Sequence, residues 1–259
     1  MPSAHYKSQF ALSYSGMKEL RKSPQHFFSW HHNPNRKSSP AMALGTLMHL
    51  LLLQPEREKT DVAVWTGKRR DGKVWDAFKD LNSGKEIVTP KELGQARAMV
   101  ASMLQNPFIK SGMGRPDAQA ELEWFGMDPE FDCPIKCTWD WLTPDLIFDP
   151  KKTGETIEEF ETKSIWNYSY HIQAAFYLRC AEIMDGRKRE FAWPVIEDDP
   201  PFASQLILPP PQMLDEGRRI VEERLRTFSR CWHDKVWPGY ETQMKIAEVP
   251  EWIMKRMAV

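Results

Sequence analysis

The stretch IKCTWDWLTPDLIFDPKKT, Ile135 to Thr153, decides how this chain is read. Much of it reads as β-structure, yet it carries acids at Asp140, Asp145 and Asp149 and lysines at Lys151 and Lys152. In Thr143-Pro144-Asp145-Leu146, proline holds the second position of a tight turn, where its fixed φ suits a type I geometry. A hairpin centred on Pro144-Asp145 sets Asp140 opposite Asp149. Side chains alternate along a strand, so Asp149 and Lys151 share a face. Asp140, Asp149 and Lys151 therefore converge. Pro150 sits between acid and lysine and has no N–H for a sheet ladder.

Working outward, AELEWFGM (120–127) and CPIKCTWDWL (133–142) read as strands joined by the turn DPEFD, and LIFD (146–149) follows as the next. REFAWPVIE (189–197) and ASQLILP (203–209) read as two more. Helical spacing marks SYSGMKELRKSP (13–24) and the strongly apolar SPAMALGTLMHLLLLQPE (39–56). TPKELGQARAMVASMLQNP (89–107) opens with Thr89 at the cap, Pro90 next and Glu92 three positions after it, the signature of a capping box. From Ile157 the period is again helical, through Phe160, Ile165, Tyr168, Ile172 and Phe176. A long amphipathic helix is expected over 210–237. Residues 56–88 are polar without a sustained period, and TGKRRDGKVW within them reads as a mobile basic loop. The predicted fold is α/β (α+β): a central mixed sheet with helices on its faces. One domain over 1–259 is expected, mainly helical in 1–110, with the sheet and its flanking helices in 111–259.

The 259 residues carry 35 Lys+Arg against 36 Asp+Glu, a net charge of -1, so any nucleic-acid contact must use a local basic patch. The densest such patch is Lys68, Arg69, Arg70 and Lys73. In a DNA enzyme it would touch phosphates; otherwise it is a solvated loop. Trp65 and Trp75 flank it and suit either base stacking or core packing. No apolar run approaches a membrane span, and the N-terminus lacks the basic start and apolar middle of a signal peptide. A cytoplasmic protein without membrane contact is expected. Cys133, Cys137, Cys180 and Cys231 lack C-x-x-C pairing, which argues against zinc and against an iron–sulfur cluster.

Two carboxylates this close repel unless a cation lies between them. A divalent metal meets that need, and oxygen ligands suit Mg²⁺ or Mn²⁺. A lysine beside the metal can orient or deprotonate a water, or stabilise charge developing on a phosphate. On spacing alone an ordinary charged hairpin serves equally well. His49 stands in an otherwise apolar helix, where a satisfied core histidine is the plain alternative. Gln173 and Tyr177 share a helical face, and Glu121 precedes on the neighbouring strand; packing and solvation are the plain readings of these.

Together these segments resemble the PD-(D/E)xK nuclease superfamily, and within it phage and prophage exonucleases of the exodeoxyribonuclease VIII (RecE) type. SYSGMKELRKSPQHFFSWHHNP is similar to that family's opening helix and S-P-x-H-F segment, and AMALGTLMHLLLLQPE to its G-T-x-x-H helix. DPEFDCPIKCTWDWLT is similar to the strands leading to its first metal-binding aspartate, and YHIQAAFYL to its Q-x-x-x-Y helix. VWPGY and VPEWIMKRMA resemble its C-terminal segment. The resemblance implies a restriction-endonuclease-like sheet. It implies metal binding by His49, Asp140 and Asp149, with Glu121 near a second ion and the Pro150 carbonyl as a further ligand. It makes Lys151 the catalytic lysine, with Gln173 and Tyr177 holding the site and the DNA strand. It further implies one or two Mg²⁺ (or Mn²⁺) ions and 5′-to-3′ digestion of double-stranded DNA ends for phage-type recombination. A ring-like homo-oligomer, a RecT-type single-strand annealing partner and the cytoplasm of a bacterial host complete the expectation.

The chain departs from the family in carrying Asp149-Pro150-Lys151-Lys152 where D-L-K-T is usual, and Thr138 where an arginine commonly precedes the first aspartate. A catalytically degenerate DNA-binding protein on the same fold therefore stands as an alternative, as does a RecB- or Cas4-like nuclease of different polarity. A rival register also stands, with Asp145, Glu161 and Lys163 as the site and DPKKTGE as the hairpin turn. The helical period of Ile157, Phe160 and Ile165 favours the first register.

Overall fold

The computed structural model describes residues 3–33, 40–242, 244 and 246–257. Its strands are β1 (Val62–Val64), β2 (Glu86–Val88), β3 (Gln119–Asp128), β4 (Cys133–Leu142), β5 (Leu146–Phe148), β6 (Lys151–Thr153), β7 (Glu190–Glu197) and β8 (Ser204–Ile207). β1 and β2 form a separate parallel pair, and the other six make one mixed sheet. β3 and β4 pair antiparallel around the turn 129–132, where the buried Asp128 carboxylate accepts the N–H groups of Glu130 and Phe131. β4 and β5 pair antiparallel through Trp141↔Phe148 and Leu142↔Ile147, around the predicted Pro144-Asp145 turn. Thr143 closes that turn, its hydroxyl bonding both the Leu146 backbone and Asp145.

β5 and β6 are two halves of one strand. Both run parallel to β7 at a single register, Leu146↔Glu190 through Phe148↔Ala192 and then Lys151↔Val195 through Thr153↔Glu197. The interruption is Asp149-Pro150. β8 lies antiparallel on the other side of β7. A parallel return to β7 needs a crossover, supplied by helical turns over 157–167 and the helix Tyr170–Asp185.

The main core holds Trp139, Trp193, Phe160, Phe176 and Phe228, joining the sheet to Tyr170–Asp185, to Pro211–Asp234 and to the N-terminal helices. Pro211–Asp234 crosses Tyr170–Asp185 at Gly217, where a Cβ would meet the His171 carbonyl at 2.4 Å. A second core joins Met48 and Leu52 of the helix Pro40–Leu53 to Met99 and Met103 of Pro90–Met103 and to Ile196 of β7. The capping box at Thr89 and Glu92 is formed. The chain ahead of Tyr14 joins the sheet too, with Leu12 N–H donating to Pro134 O and Lys136 N–H to Leu12 O, both at 2.9 Å.

The expected loop over 56–88 is corrected: it holds β1, the helix Gly72–Leu81 and β2. Its aromatic residues pack on one another, Trp65 against Phe78 at 4.9 Å and against Trp75 at 5.2 Å, while Val74 and Leu81 face solvent. Val74, Trp75, Phe78 and Leu81 follow a helical spacing, so the signal for this helix was present in the sequence. The helix expected to start at Ser39 is described from Pro40; its first expected residue lies outside the described residues. Among the described residues, no helix is long and apolar enough to cross a membrane.

Candidate active site

Asp149 directly follows β5 and Lys151 begins β6. The Asp149 N–H donates to Ala192 O across the parallel ladder at 3.1 Å. The next amide position therefore points the other way, toward β4, where the ladder has already ended at Trp141↔Phe148. Pro150 occupies that position and deprives no partner of a donor. At the same level β7 carries Pro194, whose register partner on β8 is Leu206. The strand opens at this point.

The β4–β5 register extends to place Asp140 opposite Asp149. On the other side of β4, Ala120↔Trp141 and Leu122↔Trp139 place Glu121 opposite Asp140. Three acids from three neighbouring strands thus stand abreast. Glu121 takes a left-handed φ of 51°, a conformation that costs a side-chain-bearing residue about 1–2 kcal/mol. The β3–β4 pairing omits it, so the strand kinks at the acid.

Each acid has a different neighbour. Asp149 is buried, with Lys151 Nζ 2.5 Å from Oδ2 and Gln173 Nε2 donating to Oδ1 at 3.3 Å. Asp140 faces the helix Pro40–Leu53, with its Oδ2 3.5 Å from His49 Nδ1. Ligand atoms of His49, Glu121 and Asp140 all lie within 4.8 Å of one another. Burial, then the Asp149 charge, pushes the Asp140 carboxyl well above the ordinary carboxylate range. Burial works to lower the Lys151 ammonium, but Asp149 and Asp140 outweigh it and hold it above its ordinary value. Its ring neighbour is Tyr170, 4.8 Å from Nζ.

His49 tests whether a cation fits. Its Nε2 lies 3.0 Å from Pro150 O, and a carbonyl can only accept, so Nε2 carries the proton. Burial and then the Lys151 charge lower the imidazole's basicity and favour its neutral form. Nδ1 is then a bare lone pair facing a carboxylate oxygen. The raised Asp140 carboxyl can meet that lone pair with a proton, and a bound cation can replace the proton; one imidazole nitrogen with carboxylate oxygens suits Mg²⁺ or Mn²⁺. The donor set fits a divalent metal. Pro150 O, expected as a ligand, here orients His49.

These groups line a cleft of ≈650 Å³ bounded by Gly45, His49, Glu121, Asp140, Lys151 and Tyr177. A second opening of ≈590 Å³ shares Gly45, His49 and Lys151 and leads out past Tyr170 and Tyr168. Tyr177 sits one turn beyond Gln173, and burial keeps its hydroxyl protonated. The structure thus brings together His49, Glu121, Asp140, Asp149, Pro150, Lys151, Gln173 and Tyr177.

It does not bring in the rival set. Asp145, at the far end of β5, is 67% exposed in its side chain and pairs with Arg115 at 2.5 Å. Glu161 and Lys163 lie on an exposed π-helical turn, Phe160–Ser164, where Lys163 pairs with Glu159 at 2.7 Å. A capping box at Thr156 and Glu159 starts a helix ahead of them, so no strand carries that tripeptide. Lys68, Arg69, Arg70 and Lys73 are exposed, and none is among the described residues lining the cleft. Arg70 is paired with Glu92, and Arg69 O accepts the Trp65 indole N–H.

Two residues of the site went unread in the sequence. Tyr170 stands three residues before Gln173 and seven before Tyr177, on one helical face, so the signal was present. Lys152 bonds Asp198, the residue after β7, at 2.7 Å, a contact that no local spacing reveals.

No curated protein matches the sequence. Among solved structures, a protein of Eubacterium rectale named "Putative exonuclease" superposes with a TM-score of 0.64 at 16% identity, covering 100% of this chain and 98% of its own. That likeness shows a shared fold. The protein designated SSO0001 matches at 13% identity and a TM-score of 0.30 over 74% of this chain and 87% of its own, too weak to argue from. A family model described as a PDDEXK-like domain of unknown function (DUF3799) matches residues 13–248. The acids abreast on a mixed sheet, the lysine two residues after the last of them and that match agree: the chain belongs to the PDDEXK-like family DUF3799, within the PD-(D/E)xK nuclease superfamily.

Proposed function

We propose that this chain is a metal-dependent deoxyribonuclease that digests linear double-stranded DNA from its ends, in the 5′-to-3′ direction, with Mg²⁺ or Mn²⁺. The observation that carries the reading is the row Glu121, Asp140 and Asp149 with the Lys151 ammonium bound to Asp149. His49, Asp140 and Glu121 would hold an ion, with Asp149 available as a further carboxylate ligand. Bound there, a divalent ion supplies Lewis acidity to the phosphodiester and lowers the pKa of a water.

The chain's own residues do the rest. Lys151 stays an ammonium because two acids face it. As an ammonium it stabilises negative charge on the phosphate and orients a water. Gln173 fixes the Asp149 carboxylate through Oδ1 and leaves Oδ2 for Lys151. His49 is locked in one tautomer by Pro150 O, so Nδ1 points at the acids. The helix Pro40–Leu53 walls the cleft from one side through Gly45, Thr46 and His49.

The recombination setting belongs to the same proposal: a ring-like homo-oligomer, a RecT-type annealing partner and action in the cytoplasm of a bacterial host. It rests on the resemblance of the ordered sequence motifs. The test is digestion of linear duplex labelled at either the 5′ or the 3′ end, against a covalently closed circle. Wild type with Mg²⁺ or Mn²⁺ releases 5′ label first and spares the circle. Lys151→Ala, losing one charge-stabilising donor, falls about 10²–10³-fold in rate. Intact linear DNA across both metal titrations would refute the enzyme reading and leave the binding-only alternative. First release of 3′ label would refute the polarity.

A further inference from the structure

The second opening of the cleft leads away from Lys151 along an aromatic path. Tyr170 covers the Lys151 ammonium, and its ring lies 5.6 Å from that of Tyr168 at an interplanar angle of 36°. Tyr168 is 57% exposed. It lines this opening and also an adjoining groove of ≈280 Å³ that carries Lys18, Arg21, Lys22 and Arg224. Glu19 is the one acid lining that groove among the described residues, and it pairs with Lys22.

The backbone is bent to present this ring. Ser169, the next residue, has a φ of 61°, left-handed for a residue with a side chain. The Tyr14 hydroxyl holds the bend by donating to Tyr168 O at 2.6 Å and to Ser169 O at 3.0 Å. A strained turn tied down by a buried tyrosine, with the neighbouring aromatic ring left in water, is a costly way to expose a hydrophobic surface. Beside it, Lys18 lies over the Tyr14 ring at 4.5 Å. Among the described residues no carboxylate is within ion-pair distance of Lys18 or Arg21. Burial, then the charges of Lys151 and Arg21, hold the Lys18 ammonium below its ordinary value. Cations crowded in this way suit an anion among them.

We propose that this opening is the track of a single DNA strand, with Tyr168 stacking on a nucleobase close to the scissile phosphodiester and Lys18 and Arg21 binding phosphates of the same strand. A tyrosine ring offers a π-face to any base, so the contact is sequence-tolerant, and the phosphates supply the missing anions. Base–aromatic stacking is worth about 1–3 kcal/mol per base, which at about 1.4 kcal/mol per tenfold is a ~5- to ~140-fold change in affinity. The inference rests on the nuclease reading of the cleft and adds where the strand lies.

The experiment measures binding of a fluorescently labelled single-stranded oligonucleotide to the full chain by anisotropy in EDTA, with duplex digestion in Mg²⁺ alongside. Wild type, Tyr168→Ala, Tyr168→Phe and Lys18→Ala are compared, and an abasic site is stepped along the strand. Tyr168→Ala should weaken binding ~5-fold or more, and Tyr168→Phe, which keeps the ring face, should stay within about twofold of wild type. At one strand position the abasic site should weaken wild type but not Tyr168→Ala, the mark of a base lost from the ring. Lys18→Ala should weaken all sequences alike and flatten the salt dependence. The Tyr168 side chain is exposed and the Tyr14 bonds use backbone oxygens, so these variants fold. Equal binding by wild type and Tyr168→Ala overturns the inference, as does a loss that no abasic position erases or a Tyr168→Phe loss as large as that of alanine. If wild type digests duplex while any of these holds, the track fails and the nuclease reading stands. If wild type neither binds nor digests DNA, both fail.

Discussion

Replacing Asp140 by asparagine should move stability in opposite directions with and without a divalent ion. Asp140 stands within 4.8 Å of Glu121, ligand atom to ligand atom, and beside Asp149. Two unit charges at that distance repel by about 3.5 kcal/mol at an effective dielectric of ~20. Lys151 and partial protonation offset much of this, leaving a net gain of about 1–2 kcal/mol for the neutral amide in metal-free protein. Metal reverses the order. An ion at a hundred times its Kd stabilises wild type by about 2.7 kcal/mol, or roughly 5–10 °C in a chain of this size. Asp140→Asn, short of one charged ligand, should gain only a fraction of that. The sign with pH follows from linkage. An acid whose folded pKa is raised binds its proton more tightly when folded, so wild-type stability falls as pH climbs from the ordinary carboxylate range toward the raised value. The variant's advantage in EDTA should grow over that same climb. Thermal unfolding in EDTA and through Mg²⁺ and Mn²⁺ titrations reads all three effects. A variant less stable than wild type in EDTA, or one stabilised by metal as strongly as wild type, refutes the charge-crowding argument.

Gly217→Ala would set a Cβ 2.4 Å from the His171 carbonyl and push the two long helices apart; overpacking of this kind costs about 1–3 kcal/mol, read from a denaturation midpoint. Asp128→Ala removes a carboxylate that caps the β3–β4 turn and takes a bidentate bond from Arg179 at 2.6 and 2.8 Å. It should cost about 3–5 kcal/mol, and a double-mutant cycle with Arg179→Ala should show strong coupling. Lys163→Ala and Glu161→Ala, on an exposed turn, should leave nuclease rates at wild type and stability within about 0.5 kcal/mol; loss of activity in either would return the site to the rival register. Pro150→Ala adds a donor where β4 has already parted from β5, so it should cost no more than about 1 kcal/mol, mainly through a looser unfolded chain, while activity persists.

What the sequence made legible was local. β3, β4 and β5 follow one another and end at turn residues, so Thr143-Pro144-Asp145-Leu146 sets the β4–β5 register by itself. That register alone aligns Asp140 with Asp149. Thr89-Pro90 announced its helix because capping chemistry is contiguous in sequence. The left-handed kink at Glu121 had no signal, because glutamate is an unusual residue for that conformation. The placement of His49 could not be read from its helix. Pro40–Leu53 is apolar nearly all round and has no single buried face to orient it. Its contact with Pro150 spans 101 positions of chain. The sharing of roles was hidden for the same reason. Spacing set Asp140 and Asp149 together, and the structure keeps them close while placing His49 and Glu121 beside Asp140 and Lys151 and Gln173 beside Asp149.

Pro150 ties these observations into one cause. A strand running unbroken from β5 into β6 would keep its polar groups in ladders on both sides. Here the Asp149 carbonyl faces the level of Pro194, which has no N–H to give, and Pro150 itself has none to offer toward β4. Two prolines at one level thus free the backbone over two residues without leaving any donor orphaned. The Pro150 carbonyl, past the end of the β4–β5 ladder, accepts from His49 Nε2, and that bond fixes the tautomer that turns Nδ1 toward Asp140. The proline that breaks the strand is therefore the residue that lets a distant helix be tied to the acids. Leucine at the same position could free its carbonyl too, but its N–H would need a partner or water at the mouth of the cleft, which proline avoids.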